Sequence, residues 1–240
     1  MVLEQADIKD RISTIDWSPV AEQVNGKGYA LVKGMLTEEE CAELSSLYPK
    51  NELYRKTINM ERYRFGSGEY KYFNYPLPEL IQKLRETIYP VLAPVANTWM
   101  NVLKIDTRFP DSFAALQKMC SDNEQDKPTV LILKYGAAGY NTLHQDLYGD
   151  IFFPMQLVLF LNQPEKDYTG GEFVLTEQVP RAQSRAIVLQ PERGDMLLFT
   201  TNFRPAKSKN GYYRVNMKHG VSEVKSGERY TLGIIFHDAK

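Results

Sequence analysis

The chain holds only three histidines, His144, His219 and His237. Asp146 follows His144 by two positions, and residues two apart on an extended strand project from the same face. Two neutral imidazoles and one carboxylate on one side of a divalent ion leave three octahedral positions open. That is the ligand set of non-haem Fe(II) oxygenases, which fill those positions with a bidentate 2-oxo acid and O₂. The His-x-Asp pair alone does not settle the matter, because a lone strand histidine is more often a hydrogen-bonded core residue. His219 and His237 are rival third ligands. His237 lies close to the last residue of the sequence, where strands fray, and no cation follows it, so His219 is preferred.

Arg229 and Thr231 stand shortly after His219. A 2-oxo diacid that chelates a metal at one end needs a cation and a hydroxyl for its distal carboxylate, and arginine supplies a fixed bidentate fork. Hairpin register offers a test. A three-residue turn Lys225-Ser226-Gly227, with Gly227 left-handed, puts His219 opposite Gly233, Val221 opposite Thr231 and Glu223 opposite Arg229. His219, Arg229 and Thr231 then share a face. A two-residue turn would place His219 and Arg229 on opposite faces, so the chemistry calls for the longer turn.

The elements that must carry these residues change in texture at about residue 127. Before it, Gly28–Gly34 reads as a short strand bounded by glycines. Thr37 with Glu40 forms a capping box for the next helix, with Leu36 and Cys41 as its hydrophobic staple. Residues 61–75 read as an aromatic hairpin around Gly66-Ser67-Gly68. Pro78 opens a helix whose apolar spacing Pro90 and Pro94 are expected to break or kink, and a short helix covers roughly 112–121. After residue 127, eight strands alternate with turn signals: 129–135, 143–146, 155–162, 172–177, 186–190, 196–200, 217–224 and 229–237. The expected class is α+β, a double-stranded β-helix (jelly-roll, cupin-like) barrel with N-terminal supporting helices. The expected organisation is one oxygenase domain over 1–240, with 1–126 as helical support and flanking strands and 127–240 as the core with the metal site.

Composition excludes several classes. Lys+Arg 29 against Asp+Glu 30 gives a net charge of −1, so nothing global selects a polyanion. Two cysteines, Cys41 and Cys120, make no disulfide framework or thiolate metal site. The charged N-terminus has no apolar signal core, and no run approaches the ~20 apolar residues of a membrane span. A cytoplasmic protein is expected.

The ordered motifs resemble the 2-oxoglutarate/Fe(II)-dependent dioxygenases, particularly the prolyl 4-hydroxylase-like branch. They are Leu131–Tyr135 with a glycine loop, His144-Gln145-Asp146, Leu159–Asn162, Gly170-Gly171-Glu172-Phe173, Gly194–Phe199, His219 and Arg229-Tyr230-Thr231. The stretch 28–44 is similar to that branch's opening strand and helix. The resemblance implies Fe(II) held by His144, Asp146 and His219, with Arg229 on the distal carboxylate of 2-oxoglutarate. Thr231 or Tyr135 would supply the assisting hydroxyl, since Phe160 stands where the oxygen-sensing prolyl hydroxylases carry a tyrosine. It implies hydroxylation of a protein side chain or small molecule by O₂, with 2-oxoglutarate converted to succinate and CO₂ and ascorbate as an accessory reductant. The alternative is a non-catalytic jelly roll that binds metal and 2-oxoglutarate as a sensor. A third reading, a Mn, Ni or Zn barrel lyase or isomerase, fits poorly with so few histidines.

Two segments could cover such a site, 61–75 and 136–141. The basic stretch 203–218 is expected to be a solvated loop. The repair-type oxygenases acting on alkylated bases carry further arginines in the Arg229 strand, and their lack here counts against nucleic acid as partner. Oligomeric state is not legible.

Overall fold

Side-chain oxygens of Asp7, Asp16 and Thr37 each accept an early helical N–H. They start α1 (Ile8–Thr14), α2 (Trp17–Lys27) and α3 (Glu38–Ser46). At α3 the capping box forms in both directions between Thr37 and Glu40. The chain here is a computed structural model describing residues 7–240; residues 1–6, part of the charged stretch considered for a signal, lie outside the described residues.

Then come α4 (Glu79–Val102) and α5 (Phe113–Ser121), the latter capped by Ser112. Neither Pro90 nor Pro94 breaks α4, which is one continuous helix through both. Each interior proline costs about 3 kcal/mol. Ile81, Leu84, Ile88, Leu92 and Trp99 are all buried along the helix, and that burial outweighs the two losses.

The first half supplies β1 (Tyr29–Val32), β2 (Tyr54–Asn59), β3 (Gly66–Ser67) and β4 (Glu69–Phe73). The second supplies β5 (Leu131–Tyr135), β6 (Tyr140–His144), β7 (Met155–Phe160), β8 (Tyr168–Gly170), β9 (Phe173–Gln178) and β10 (Arg185–Leu189). It continues with β11 (Met196–Thr200), β12 (Phe203–Ser208), β13 (Gly211–Val221), β14 (Val224–Gly227) and β15 (Arg229–Ile235). A major sheet runs β1-β11-β7-β15-β5-β4-β2, and a minor sheet runs β10-β9-β13-β6-β3 with β12 added on β13.

The two sheets face one another in the expected jelly roll. Every residue of β7 is buried, because both faces of that strand are covered. Leu157 and Leu159 pack outward among Leu84, Ile88 and Leu92 of α4. Val158 and Phe160 pack inward against Phe173 and Leu175 of the minor sheet. By the same alternation Arg229, Thr231 and Gly233 of β15 turn inward, while Leu232 and Ile234 turn to the helices.

Three expectations need correction. The hairpin joining His219 to Arg229 does not form: β13 pairs with β6 and β9, β15 pairs with β5 and β7, and β14 between them pairs with β8. The chain changes sheets there, as a jelly-roll corner requires, so no His219–Gly233 register exists. Residues 203–218 are not a loop but the β12–β13 hairpin, with Arg204 buried on Glu177 at 2.7 Å. The aromatic hairpin of 61–75 is built from β2 and β4, whereas Gly66-Ser67 adds to β6 of the other sheet. A Cβ on Gly66 would sit 2.2 Å from the Tyr140 carbonyl oxygen, which is why that approach needs glycine.

Candidate metal centre

His219 and His144 are direct cross-strand partners on β13 and β6, which is how residues so far apart in sequence meet. Asp146 stands just beyond the end of β6. One donor atom from each of the three lies within 4.8 Å of the others. His144 Nε2 is 3.6 Å from Asp146 Oδ1, and His219 Nε2 is 3.2 Å from Oδ2.

The surroundings aim each donor. His144 Nδ1 lies 2.8 Å from the Thr142 carbonyl; donating there leaves Nε2 with its lone pair toward the site. The His219 ring stacks on Phe173 at 5.8 Å and meets Phe199 edge-on at 4.8 Å. Between the ligands, Gln145 turns the other way and donates to the carbonyls of Met217 (2.8 Å) and Asn202 (2.9 Å), tying the segment to β13. Tyr148 donates to Asp146 Oδ1 at 2.8 Å.

Burial opposes ionisation of Asp146, but the His219 charge and hydrogen bond, the His144 charge and the Tyr148 hydroxyl outweigh it and hold the carboxyl far below its usual range. Burial, then the like charge of His144, lowers the His219 imidazole against the pull of Asp146. At neutral pH the pair is thus carboxylate and neutral imidazole, the states a divalent ion takes.

The ligands open on a cavity of about 230 Å³ between the sheets. At one end lies Arg229, 1 % exposed and ringed by Tyr135, Phe160 and Tyr168 at 5.5, 5.5 and 5.9 Å. None of its three guanidinium nitrogens makes a well-formed hydrogen bond, the adjacent Tyr168 hydroxyl included. A buried cation without a partner costs several kcal/mol, so this end fits a carboxylate. Thr231 and Tyr135 line the same wall, with the Tyr135 hydroxyl accepting from Asn141 at 3.2 Å. Burial raises the Tyr135 phenol to about 12 despite Arg229, so it stays protonated. At the other end the buried Gln156 amide nitrogen is also unpartnered, beside Tyr72, Tyr148 and Leu131.

His237, the rival ligand, is placed elsewhere: fully buried, its Nδ1 accepts the Phe153 N–H at 3.1 Å. Of the two cover segments, Phe65 reaches the cavity wall and stacks on exposed Tyr63 at 5.5 Å, while Tyr75 is tied to Asp238. The 136–141 segment is pinned to β14 by reciprocal backbone bonds, Ala138 to Val224 and Val224 to Gly139. Gln145, Tyr148 and Gln156 escape sequence reasoning, and Tyr72 enters it only as part of the 61–75 cover segment.

The Oxygenase-NA family model, described as "Oxygenase, catalysing oxidative methylation of damaged DNA", matches residues 68–239. An uncharacterized protein of Mycobacterium tuberculosis, found in two strains, is 46% identical over 167 residues, covering 70% of this chain and 72% of that protein. Among solved structures, a Pseudomonas putida prolyl-4-hydroxylase aligns over 92% of this chain and 98% of its own, with a TM-score of 0.53 at 12% identity. A Burkholderia pseudomallei oxidoreductase of the 2OG-Fe(II) oxygenase family aligns over 94% and 93%, with a TM-score of 0.52 at 14% identity. A Trichoplax adhaerens prolyl hydroxylase, solved with a hypoxia inducible factor peptide fragment, aligns over 96% and 90%, with a TM-score of 0.52 at 12% identity. The fold is therefore that of the 2-oxoglutarate/Fe(II) oxygenases, carrying a His-Asp-His facial triad.

Proposed function

The chain belongs to the Oxygenase-NA family, and on that premise we propose that it is an Fe(II)- and 2-oxoglutarate-dependent dioxygenase that hydroxylates a substrate C–H. In this reading His144, Asp146 and His219 hold the iron, and Arg229 takes the distal carboxylate of 2-oxoglutarate with Thr231 and Tyr135 beside it. The observation that carries it is the unpartnered Arg229 guanidinium sharing one cavity with the triad. Iron, when bound, supplies the activation of O₂ coupled to conversion of 2-oxoglutarate to succinate and CO₂. The protein's residues bind and orient the co-substrate, keep its carboxylate out of water, and hold the target carbon beside the triad. Ascorbate would serve to keep the iron ferrous.

A protein side chain or small molecule is one class of target. A second is an alkylated nucleobase, which the family's description favours. Hydroxylating an N-methyl group gives a hydroxymethyl that leaves as formaldehyde, so the same chemistry serves. The absence of further arginines on β15 still counts against it, since the other cavity-facing residues of that strand are Thr231 and Gly233. In the segment that brings Phe65 to the cavity wall, exposed Arg62 and Arg64 alternate with the stacked Tyr63 and Phe65. Exposed aromatics among cations are the usual platform for single-stranded bases.

The test is an anaerobic visible spectrum of metal-free protein titrated with Fe(II) and then 2-oxoglutarate. A weak charge-transfer band that needs both, and is lost in His219→Ala, supports the reading; no band at saturation overturns it. Succinate release with methylated oligonucleotides against prolyl peptides then separates the substrate classes. A band without succinate for any substrate would favour the sensor.

A further inference from the structure

Of the three residues of the triad, His144 and His219 sit on paired strands, whereas Asp146 lies in the irregular segment after β6. A carboxylate there has a broad, two-fold torsion about its terminal bond, and nothing in the strand pairing selects which oxygen faces the histidines. The neighbouring contacts do. Oδ2 lies 3.2 Å from His219 Nε2, while Oδ1, farther from its histidine at 3.6 Å from His144 Nε2, accepts the Tyr148 hydroxyl at 2.8 Å. The Tyr72 hydroxyl donates in turn to the Tyr148 oxygen at 3.1 Å. The two hydroxyls thus point one way, from β4 of the major sheet to the carboxylate.

The tyrosine ring has its own support. It packs over His237 at 6.2 Å and meets Tyr72 edge-on at 6.2 Å. His237 is fixed by the Phe153 N–H, and the segment between is held by Gln125, whose amide bonds both the N–H (2.8 Å) and carbonyl (2.9 Å) of Ile151. A Cβ on Gly149, at φ +147, would fall 2.4 Å from the Gln125 side chain, so the segment is closed tightly on that clamp.

We propose that Tyr148, backed by Tyr72, is a positioning residue that holds Asp146 with Oδ1 engaged and Oδ2 presented to the metal. The proposal rests on the metal-centre reading above. It goes beyond that reading in assigning the aspartate's geometry to a two-tyrosine relay from the opposite sheet. Outer hydrogen bonds of this kind are typically worth about 10–100-fold in metal affinity. The competing account is that the hydroxyls merely satisfy each other in a buried wall; that account affects stability and leaves metal affinity unchanged.

The test uses the full chain stripped of metal, titrated calorimetrically with Mn(II) and examined by visible absorption with Co(II). Tyr148→Phe keeps the ring on His237 and removes only the hydroxyl. It should weaken Mn(II) binding by about tenfold or more and alter the Co(II) bands, with the apo melting temperature little changed. Tyr72→Phe should weaken binding less, and the double variant should match Tyr148→Phe, because Tyr72 acts only through Tyr148. Tyr72→Phe also serves if Tyr148→Phe folds poorly, since it leaves the Tyr148–Asp146 bond in place. Mn(II) affinity within about twofold of the parent in both variants, with an unchanged Co(II) spectrum, overturns the proposal. A parent protein that binds neither ion overturns the metal-centre reading instead.

Discussion

Arg229 is a buried cation whose nitrogens make no well-formed hydrogen bond, so its two roles can be separated by sign. Arg229→Met should weaken 2-oxoglutarate binding to the Mn(II)-loaded protein by roughly 2–5 kcal/mol, about 30-fold or more. The same change should raise the melting temperature of the ligand-free protein, because an uncompensated buried charge is gone. Calorimetry and thermal melts on one preparation check both. His237 gives a pH dependence. Burial lowers its imidazole from 6.5 to about 4, so between those values the unfolded chain binds a proton that the folded chain refuses. Stability is therefore lost as pH falls from about 6.5 toward 4, by roughly 3 kcal/mol at most from this group. Lowered His219 adds in the same direction. Denaturant unfolding across that window should show a shallower loss in His237→Gln, whose amide oxygen can still accept the Phe153 N–H. At this scale the triad was legible from the residue types and their close spacing, although strand parity does not place Asp146, since β6 ends at His144. Tyr72 was not, since its contact with Tyr148 crosses 76 positions that no local pattern links.

Elements were legible where local chemistry alone decides them. The capping box at Thr37 and the strand Met196–Thr200 stand where the residues put them. They were illegible where tertiary burial overrides a local signal, as at Pro90 and Pro94, and where a strand opens with charges and a proline, as in Phe203–Ser208. The turn before β15 shows both effects. Gly227 is left-handed as expected, at φ +78. Yet it closes β14 onto β8 rather than a hairpin onto β13, and a Cβ there would lie 2.1 Å from the Asp167 carbonyl oxygen. Gly227→Ala should thus cost about 1–2 kcal/mol for the backbone conformation alone, and more for the clash. Urea unfolding would read the loss, and a cost below 0.5 kcal/mol, the ordinary surface value of about that size, would show that the corner is slack.

The whole molecule couples the site to its stability. The triad belongs to the minor sheet and the segment beyond it, Arg229 to the major one, so on the proposed reading metal and co-substrate would add a bridge between two layers joined by apolar packing and by a few hydrogen bonds such as Tyr72–Tyr148 and Asn141–Tyr135. Mn(II) with 2-oxoglutarate, each at about 100 times its Kd, should add roughly 2.7 kcal/mol per independent site and raise the melting temperature by several degrees. The diacid should add little without the metal. Differential scanning calorimetry checks both, and an equal shift from 2-oxoglutarate alone would show that it binds without the triad. No helix of the described residues is long and apolar enough to cross a membrane. The two-layer architecture was legible from strand count and spacing, but which strands share a layer was not, because sheet-changing corners look like hairpin turns in a sequence.

Because His219 and Arg229 lie on different layers, the span between a metal held by the triad and the guanidinium would be set by the thickness of the packed interior, where Val158 and Phe160 meet Phe173 and Leu175. Facing sheets sit about 10 Å apart. The barrel is then a calliper closed to one diacid length, and its jaws are adjusted by core side chains that touch neither the metal nor the acid. Diacids one methylene shorter or longer than 2-oxoglutarate should be refused, and volume changes at Val158 should retune which of them is admitted.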